Sequence, residues 1–216
     1  MKRELVIFDL DGTLLNTIGD LAEAANRMRA LRALPALDYA TYCSYVGNGI
    51  MRLVERALPE SMRTPEAVAA ARADFLAYYI DHIDRYTTPY AGVRELLAEL
   101  QRRGVRLAVA SNKFQAGTEK LIRTCFPEIR FEVVFGQRPD VPLKPDPAVV
   151  NEILERTGVV AERVLYVGDS GVDMVTAHAA GVRAIGVSWG FRAREELIEA
   201  AADRIIDRAE ELLTEL

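Results

Sequence analysis

The chain begins with a short apolar run that ends in two carboxylates. Residues 5–8 are Leu, Val, Ile and Phe, and four apolar residues in succession are typical of a strand buried on both faces. Asp9 and Asp11 follow directly, and Gly12 and Thr13 then turn the chain. Because a bare carboxylate is costly beside a buried strand unless it is paired, these aspartates either cap local backbone or hold a cation.

From residue 92 onward, apolar runs of strand length alternate with stretches of helical spacing. The spacing predicts strands at 106–110, 131–135, 163–167 and 183–187, and helices at 93–103, 115–124, 148–157 and 172–180. Strands that alternate with helices of this length are typical of the α/β class. We therefore predict a Rossmann-like parallel sheet with helices on both faces, to which the strand at 5–10 also belongs.

The segment between residues 17 and 86 interrupts this alternation, because its pattern is helical throughout. Helices are predicted within 17–31, 49–58 and 64–83, and Thr17 and Asp20 have the spacing of a capping box. We therefore predict two domains. The core would comprise residues 1–15 and 88–216, and an inserted all-helical cap would comprise residues 16–87.

Four polar clusters follow four of the predicted strands. They are Asp9 with Asp11; Ser111 with Asn112 and Lys113; Lys144; and Asp169 with Ser170 and Asp173. Taken singly, each cluster is explained as well by helix caps, turns or solvated loops. Ligands of open α/β sheets bind at this edge, however, near the point where the strand order reverses. The joint placement therefore favours a catalytic site.

The charges in such a site would not balance by themselves. Two carboxylates about 4 Å apart repel each other by roughly 4 kcal/mol, and Lys144 alone could not offset Asp9, Asp11, Asp169 and Asp173. A divalent cation resolves the conflict, and an all-oxygen ligand set with places for water suits Mg²⁺. Such a metal typically also binds a substrate phosphate, for which a serine hydroxyl, backbone N–H groups and a lysine would complete the cradle.

At these residues the chain resembles a known family. The stretches DLDGTL at 9–14, SNK at 111–113, KPDP at 144–147 and GDSGVDM at 168–174 resemble, in order and spacing, the four motifs of the haloacid dehalogenase superfamily. The helical insertion resembles the subclass with a four-helix cap. Segments 45–59 and 188–191 are similar to phosphoglycolate phosphatases and their close relatives.

The resemblance implies a role for each core residue. Asp9 would be the nucleophile and would become an aspartyl phosphate, and Asp11 would serve as general acid and then as general base. The side chains of Asp9 and Asp169 and the main-chain carbonyl of Asp11 would hold Mg²⁺. Because the dehalogenases of the superfamily lack an acid at the Asp11 position, its presence favours phosphoryl transfer.

The remaining motif residues would serve the phosphoryl group and the metal. Ser111 and the backbone N–H of Asn112 would bind phosphoryl oxygens, and Lys144 would neutralise their charge. Asp173 would orient Lys144 or the water ligands of the metal.

Substrate choice is expected to come from the cap. Backbone N–H groups near Gly47 and Gly49, and the charge of Arg52, could bind the carboxylate of phosphoglycolate. The alternative is that the VGNG stretch only starts a helix and that Arg52 is solvated. Asn16 stands where the family usually has Asp, which we expect to matter little because both residues cap helices well.

The two histidines are not expected to be catalytic. His178 stands where relatives often have Arg, and His82 falls in the predicted cap. The mechanism that the resemblance implies needs no histidine base.

Composition narrows the choice of partners. The net charge of the 216 residues is −5, and no basic tract stands out, so we expect no nucleic-acid partner. No apolar run approaches membrane-spanning length, and we expect no signal peptide. Cys43 and Cys125 lie in dissimilar segments, which predicts free thiols in the cytoplasm.

The expected partner is a small phosphorylated metabolite, and the protein is expected to be a monomer or a homodimer. The apolar stretch FLAYYI at 75–80 could support dimerisation or simply pack inside the cap. A nucleotide, pyrophosphate or sugar-phosphate phosphatase, a sugar-phosphate mutase and a catalytically inactive scaffold are the alternatives.

Overall fold

A six-stranded parallel sheet organises the computed structural model, which describes residues 3–216. The strands are β1 (Leu5–Phe8), β2 (Leu15–Asn16), β3 (Thr88–Pro89), β4 (Arg106–Phe114), β5 (Val133–Gln137), β6 (Val164–Gly168), β7 (Arg183–Val187) and β8 (Arg204–Ile206). The order in the large sheet is β5-β4-β1-β6-β7-β8, and all its neighbouring strands run parallel. The predicted α/β class is thus confirmed.

The strand order reverses at β1. After β1 the chain builds β4 and β5 on one side, and then returns to build β6, β7 and β8 on the other. Phe8, the last residue of β1, lies in register with Val109 of β4 and Val167 of β6. The crevice beyond the carboxyl end of β1 is therefore the place where a ligand is expected in such a sheet.

Helices cover both faces of this sheet. They are α5 (Val93–Arg102), α6 (Gln115–Cys125), α7 (Ala148–Thr157), α8 (Gly171–Ala179) and α9 (Arg194–Glu199). The apolar side chains form two buried groups, one on each face, because residues of β1 alternate between them: Phe8 belongs to one group and Ile7 to the other. None of the helices between residues 3 and 216 is long and apolar enough to cross a bilayer.

Two features of the sheet departed from the prediction. The strand predicted at 106–110 continues to Phe114 after a register shift beyond Ala110. Ser111 and Asn112 thus lie within the irregular part of a strand and not at its end. The short edge strand β8 was not predicted, because three residues are too few to show a period.

Four helices lie between β2 and β3, and we call them the cap helices. They are α1 (Ile18–Ala30), α2 (Tyr39–Tyr45), α3 (Gly49–Ala57) and α4 (Pro65–His82). The spacing of apolar residues missed α2, which has only seven residues. Phe75 and Tyr79 of the FLAYYI stretch are fully buried, so packing inside the protein accounts for these two positions, whereas Ile80 is 50% exposed. The domain limits at residues 15 and 88 stay a prediction.

The chain enters and leaves the cap helices at adjacent points. Leu15 and Asn16 pair antiparallel with Pro89 and Thr88. Asn16 also accepts a weak hydrogen bond of 3.4 Å from the N–H of Ile18, whereas Thr17 is the N-cap residue of α1; that Asn in place of Asp matters little stays a prediction.

The capping box predicted for α1 was wrong. The side chain of Thr17 makes no capping hydrogen bond. Asp20 instead accepts the backbone N–H groups of Tyr86 (3.0 Å) and Thr87 (2.8 Å), and the Thr87 hydroxyl (2.7 Å). The reason is tertiary: Asp20 ties α1 to the segment that returns to the core, and three donors outside the helix outcompete one donor within it.

Replacement of Asp20 by Ala is expected to lower the free energy of unfolding by about 2–4 kcal/mol, because it leaves the backbone N–H groups of Tyr86 and Thr87 without an acceptor. Urea denaturation measures the change. Asp81→Asn, at an exposed position of α4, is the control and should change stability by less than about 0.5 kcal/mol. Equal stabilities for the two variants would contradict the role given to Asp20.

Candidate active site

The predicted polar clusters meet at the carboxyl edge of the sheet. Asp9 follows β1, Ser111 and Asn112 lie in β4, Lys144 lies in the loop after β5, and Asp169 follows β6. Residues far apart in sequence therefore converge because parallel strands deliver their carboxyl ends to the same edge.

Lys144 is the central group of this cluster. Its ammonium lies 2.9 Å from Asp9 Oδ1 and 2.7 Å from Asp173 Oδ1. It also donates to the carbonyl of Ala110 and to the hydroxyl of Tyr166, both at 2.9 Å. Only 4% of Lys144 is exposed. Burial alone would lower the pKa of Lys144, but the carboxylates of Asp173 and Asp9 raise it well above its ordinary value, so the ammonium stays charged.

Asp173 serves two partners with its two oxygens. Oδ2 accepts the backbone N–H of Ser170 (3.1 Å) and its hydroxyl (2.6 Å), which forms a capping box at the start of α8. Oδ1 holds Lys144. Asp173 therefore caps α8 and contacts Lys144 at the same time, and its functional role stays a prediction.

Asp169 is enclosed by backbone. Its Oδ2 accepts the N–H of Phe191 at 2.7 Å. A Cβ atom added at Gly12 would lie 2.3 Å from Asp169 Oδ2, and one added at Gly190 would lie 2.2 Å from Asp169 Cβ. Two glycines thus let the main chain approach a buried carboxylate that any other residue would displace.

Three of these carboxylates form a group that fits a metal ion. Asp9, Asp169 and Asp173 are buried, and each offers an oxygen within 4.8 Å of the others. Burial is the largest cause that raises the pKa of Asp9, and it outweighs the lowering by Lys144, so that the pKa reaches about 7. Burial and the charges of Asp173 and Asp9 raise the pKa of Asp169 well above its usual range.

Burial is the largest cause of both raised pKa values, and the neighbouring carboxylates add to it, so Lys144 alone does not favour ionisation of all the carboxylates. A hard divalent cation would supply the missing charge, and oxygen ligands are the kind that Mg²⁺ prefers. Asp9 and Asp169 are the side chains that would hold it, because Asp173 is already committed to Lys144 and Ser170.

Asp11 lies beside a second buried lysine. Lys113 Nζ is 3.0 Å from Asp11 Oδ1 and 3.4 Å from Oδ2, and it also donates to the hydroxyl of Tyr79 on α4 at 2.5 Å. The sequence placed Lys113 in a cluster but gave it no role. It offered no signal for Tyr79, which is one apolar position among many on a helix.

The cap helices close the cavity above Asp9. This cavity has a volume of about 30 Å³, and besides Asp9 and Asp11 it is lined by Leu21, Val46, Gly47, Gly49, Ile50, Leu53, Ser111, Asn112 and Lys113. The side-chain amide of Asn112 donates to the carbonyls of Gly47 (2.9 Å) and Lys144 (3.0 Å). Asn112 thus joins the loop that carries Lys144 to the segment between α2 and α3 of the cap helices.

Arg52 lies outside this cavity, unlike Gly49. Its guanidinium pairs with Glu55 at 2.6 Å, and 62% of its side chain is exposed. It lines a separate groove with Arg56 and Arg63. The two histidines also lie elsewhere, since His82 stacks on Tyr78 and His178 faces Asp203.

Arg192 fastens the cap helices to the core. Its guanidinium donates to the carbonyls of Ser44 (2.9 Å) and Val46 (2.6 Å), where α2 ends. The preceding residue, Phe191, donates to Asp169. The sequence drew attention to the neighbouring SWGF stretch but not to Arg192, because a surface arginine has no recognisable pattern.

Comparisons with known proteins agree with this geometry. The family of haloacid dehalogenase-like hydrolases matches residues 6–187. A phosphoglycolate phosphatase of Mesorhizobium japonicum is 34% identical, with 100% of this chain and 96% of that protein covered. Phosphoglycolate phosphatase 1 of Pseudomonas aeruginosa is also 34% identical, with 97% of this chain and 78% of that protein covered.

Solved structures show the same architecture. A protein of Lactobacillus delbrueckii subsp. bulgaricus that is predicted to be a phosphoglycolate phosphatase is 31% identical with a TM-score of 0.92, over 98% of this chain and 97% of that chain. CbbY of Rhodobacter sphaeroides in complex with phosphate is 27% identical with a TM-score of 0.82, over 97% and 96% of the two chains. A mutant CbbY in complex with xylulose-1,5-bisphosphate has a TM-score of 0.81 and 26% identity, with the same coverage.

The chain therefore belongs to the haloacid dehalogenase-like hydrolases. Within that family it is a phosphatase, similar over its whole length to the phosphoglycolate phosphatases.

Magnesium is expected to stabilise the protein more at high pH than at low pH. The pKa of Asp9 is raised from 3.8 to about 7 on folding, so the metal-free protein loses stability as pH rises through this interval. Mg²⁺ binds the ionised carboxylates, and its stabilising effect grows over the same interval. Thermal melts with Mg²⁺ and with a chelator, at about pH 5 and about pH 8, measure both effects.

The expected rise in Tm with saturating Mg²⁺ is about 5–10 °C at the higher pH. Asp169→Asn should remove most of it, whereas Asp81→Asn should preserve it. A rise of equal size at both pH values, or one that survives in Asp169→Asn, would show that these carboxylates do not hold the metal.

Loss of the Arg192 contacts is expected to loosen the cap. Arg192→Ala removes two hydrogen bonds from a charged donor, so amide exchange at residues 46–54 should accelerate roughly tenfold. Hydrogen-exchange mass spectrometry measures this. Arg194→Ala is the matched control, because Arg194 pairs with the exposed Asp207. Exchange that accelerates equally in both variants would argue against a specific fastening.

Proposed function

We propose that this phosphatase is Mg²⁺-dependent, hydrolyses a small phosphate monoester through an aspartyl-phosphate intermediate, and acts on phosphoglycolate. The observation that carries the proposal is the buried contact of Lys144 with Asp9 at 2.9 Å, with Asp169 and Asp11 beside it at the same edge of the sheet. A carboxylate cannot approach a phosphate dianion unless positive charge first cancels the repulsion, and this site provides that charge.

The first step forms a bond between a carboxylate oxygen of Asp9 and phosphorus, while the bond from phosphorus to the ester oxygen breaks. Asp11 gives a proton to the leaving oxygen. Ser111 and the backbone N–H of Asn112 bind phosphoryl oxygens, and Lys144 neutralises charge on the transferring group. A bound Mg²⁺ would supply further positive charge for the phosphoryl oxygens.

In the second step, Asp11 removes a proton from a water molecule, whose oxygen forms a new bond to phosphorus. The bond between Asp9 and phosphorus breaks, and inorganic phosphate leaves. Division into two steps replaces one difficult displacement by two easier ones. The cap helices exclude other water during the first step and must move for product release.

A small substrate is favoured because the cap helices lie directly over Asp9. The cap side of the cavity wall is mostly apolar, with Leu21, Val46, Ile50 and Leu53. The names of the relatives from Mesorhizobium and Pseudomonas support phosphoglycolate in particular. The free thiols of Cys43 and Cys125 support a place in the reducing cytoplasm. The oligomeric state stays a prediction.

A sugar phosphate is the second candidate substrate. The groove lined by Arg52, Arg56 and Arg63 also reaches Lys144, and guanidinium groups suit the second phosphate of a bisphosphate. The CbbY complex with xylulose-1,5-bisphosphate supports this alternative. Within the family, a sugar-phosphate mutase would use the same core residues.

Asp9→Asn is expected to lower turnover at least about 10³-fold on every substrate, because the amide is a poor nucleophile. The assay measures phosphate released from p-nitrophenyl phosphate, phosphoglycolate, and sugar mono- and bisphosphates, with Mg²⁺ and with a chelator. Asp81→Asn is the control and should retain wild-type rates. Undiminished turnover in Asp9→Asn would overturn the proposed mechanism. A higher kcat/KM for a sugar phosphate than for phosphoglycolate would overturn the assignment of phosphoglycolate as the substrate.

A further inference from the structure

We propose that Lys113 binds the carboxylate of the substrate and thereby selects phosphate esters in which a carboxylate is attached directly to the ester carbon. This inference rests on the proposed phosphatase function, and it names the residue that distinguishes acidic from neutral leaving groups. From the sequence, Arg52 was the residue predicted to bind this carboxylate.

The charges around the cavity single out Lys113. Among the described residues that line the cavity above Asp9, Lys113 is the cation, and the cap side of the wall is mostly aliphatic. A carboxylate that enters an apolar cavity loses its hydration and needs a charged partner in return. Lys144 is occupied by Asp9 and Asp173, so Lys113 is the group that can provide one.

The position of Lys113 matches the geometry of such a substrate. Its ammonium lies 3.0 Å from the Asp11 carboxylate, which would serve the ester oxygen. In a 2-phosphoryloxy carboxylate, three bonds separate the ester oxygen from the nearer carboxylate oxygen, and the two atoms lie roughly 3 Å apart. A leaving group that reaches Asp11 with its ester oxygen thus brings its carboxylate within reach of Lys113.

Lys113 is held ready for this contact. The Tyr79 hydroxyl accepts from it at 2.5 Å, its ammonium lies 4.9 Å from the centre of the Tyr79 ring, and only 2% of its side chain is exposed. Burial by itself would lower the pKa of Lys113, but Asp11 and Tyr79 raise it. A fixed, permanently charged ammonium binds its ligand without the cost of ordering a long side chain.

The contact with Asp11 leaves room for exchange. Lys113 has three N–H donors, and its 3.4 Å contact with Asp11 Oδ2 is long. A substrate carboxylate can replace this contact while Tyr79 keeps the lysine in place. Asp11 is then held less tightly by Lys113 and can turn to the ester oxygen. Binding of the carboxylate and release of Asp11 are thereby linked.

The test compares phosphoglycolate with glycolamide phosphate, in which an uncharged amide replaces the carboxylate. The readout is the ratio of the two kcat/KM values, because Lys113 also touches Asp11 and its loss slows both substrates. Wild type should prefer phosphoglycolate roughly 10- to 100-fold. Lys113→Met should bring the ratio close to one, and Lys113→Arg should restore part of it.

Two other variants sharpen the comparison. Lys120→Met is the matched control, since Lys120 is a partly exposed lysine that pairs with Asp84, and its ratio should equal that of wild type. Arg52→Met tests the rival residue. A ratio that collapses in Arg52→Met and persists in Lys113→Met would overturn the proposal.

A measurement on wild type keeps the proposal testable if Lys113→Met does not fold. A wild-type ratio near one would overturn the role of Lys113, and so would an equal kcat/KM for phosphoglycolate and its one-carbon-longer homologue, 3-phosphoryloxypropionate. Hydrolysis of p-nitrophenyl phosphate with Mg²⁺ distinguishes failure of this inference from failure of the proposed phosphatase function. Turnover of this ester without any preference for the carboxylate refutes only the inference, whereas no turnover of any ester refutes the proposed function.

Discussion

The buried ammonium of Lys144 is the group on which the rest of the site depends. It lies between Asp9 and Asp173 at distances of 2.9 and 2.7 Å, and Asn112 of β4 holds the backbone of Lys144 through two hydrogen bonds. Without it, several carboxylates would share a pocket closed to water, and the repulsion would favour their protonation. Lys144 keeps part of this charge ionised, and the remaining carboxylates form the group that could hold a cation.

The core and the cap helices are joined through catalytic elements. Asn112 donates to Gly47, Lys113 donates to Tyr79, and Arg192 donates to the end of α2. The apolar interior of the cap helices is also continuous with one face of the sheet. A movement of the cap therefore changes the surroundings of Asp11 and of the loop next to Asp169 together. The contacts that hold the cap helices and the contacts that shape the candidate site are therefore the same contacts.

The sequence predicted what depends on local pattern and on the geometry of parallel sheets. The run at 5–8 identified the central strand, and polar residues after four apolar runs identified the site, because all parallel strands end at one edge. The contacts of Asp20, Lys113 and Arg52 could not be predicted in this way. Asp20 had the spacing of a cap, but a tertiary partner took its oxygens. Arg52 is one turn from Gly49, yet its side chain points to Glu55 and away from the cavity. Spacing along a chain does not fix the direction of a side chain.

The pairing of β2 with β3 has a further consequence. Asn16 lies opposite Thr88. The roughly seventy residues between them therefore begin and end at one point beside the six-stranded sheet. This inserted segment can be lengthened, shortened or replaced without a shift in any strand of the large sheet, provided that its two ends still meet. Evolution can accordingly change the segment that covers the site in such a scaffold while the sheet below it stays the same.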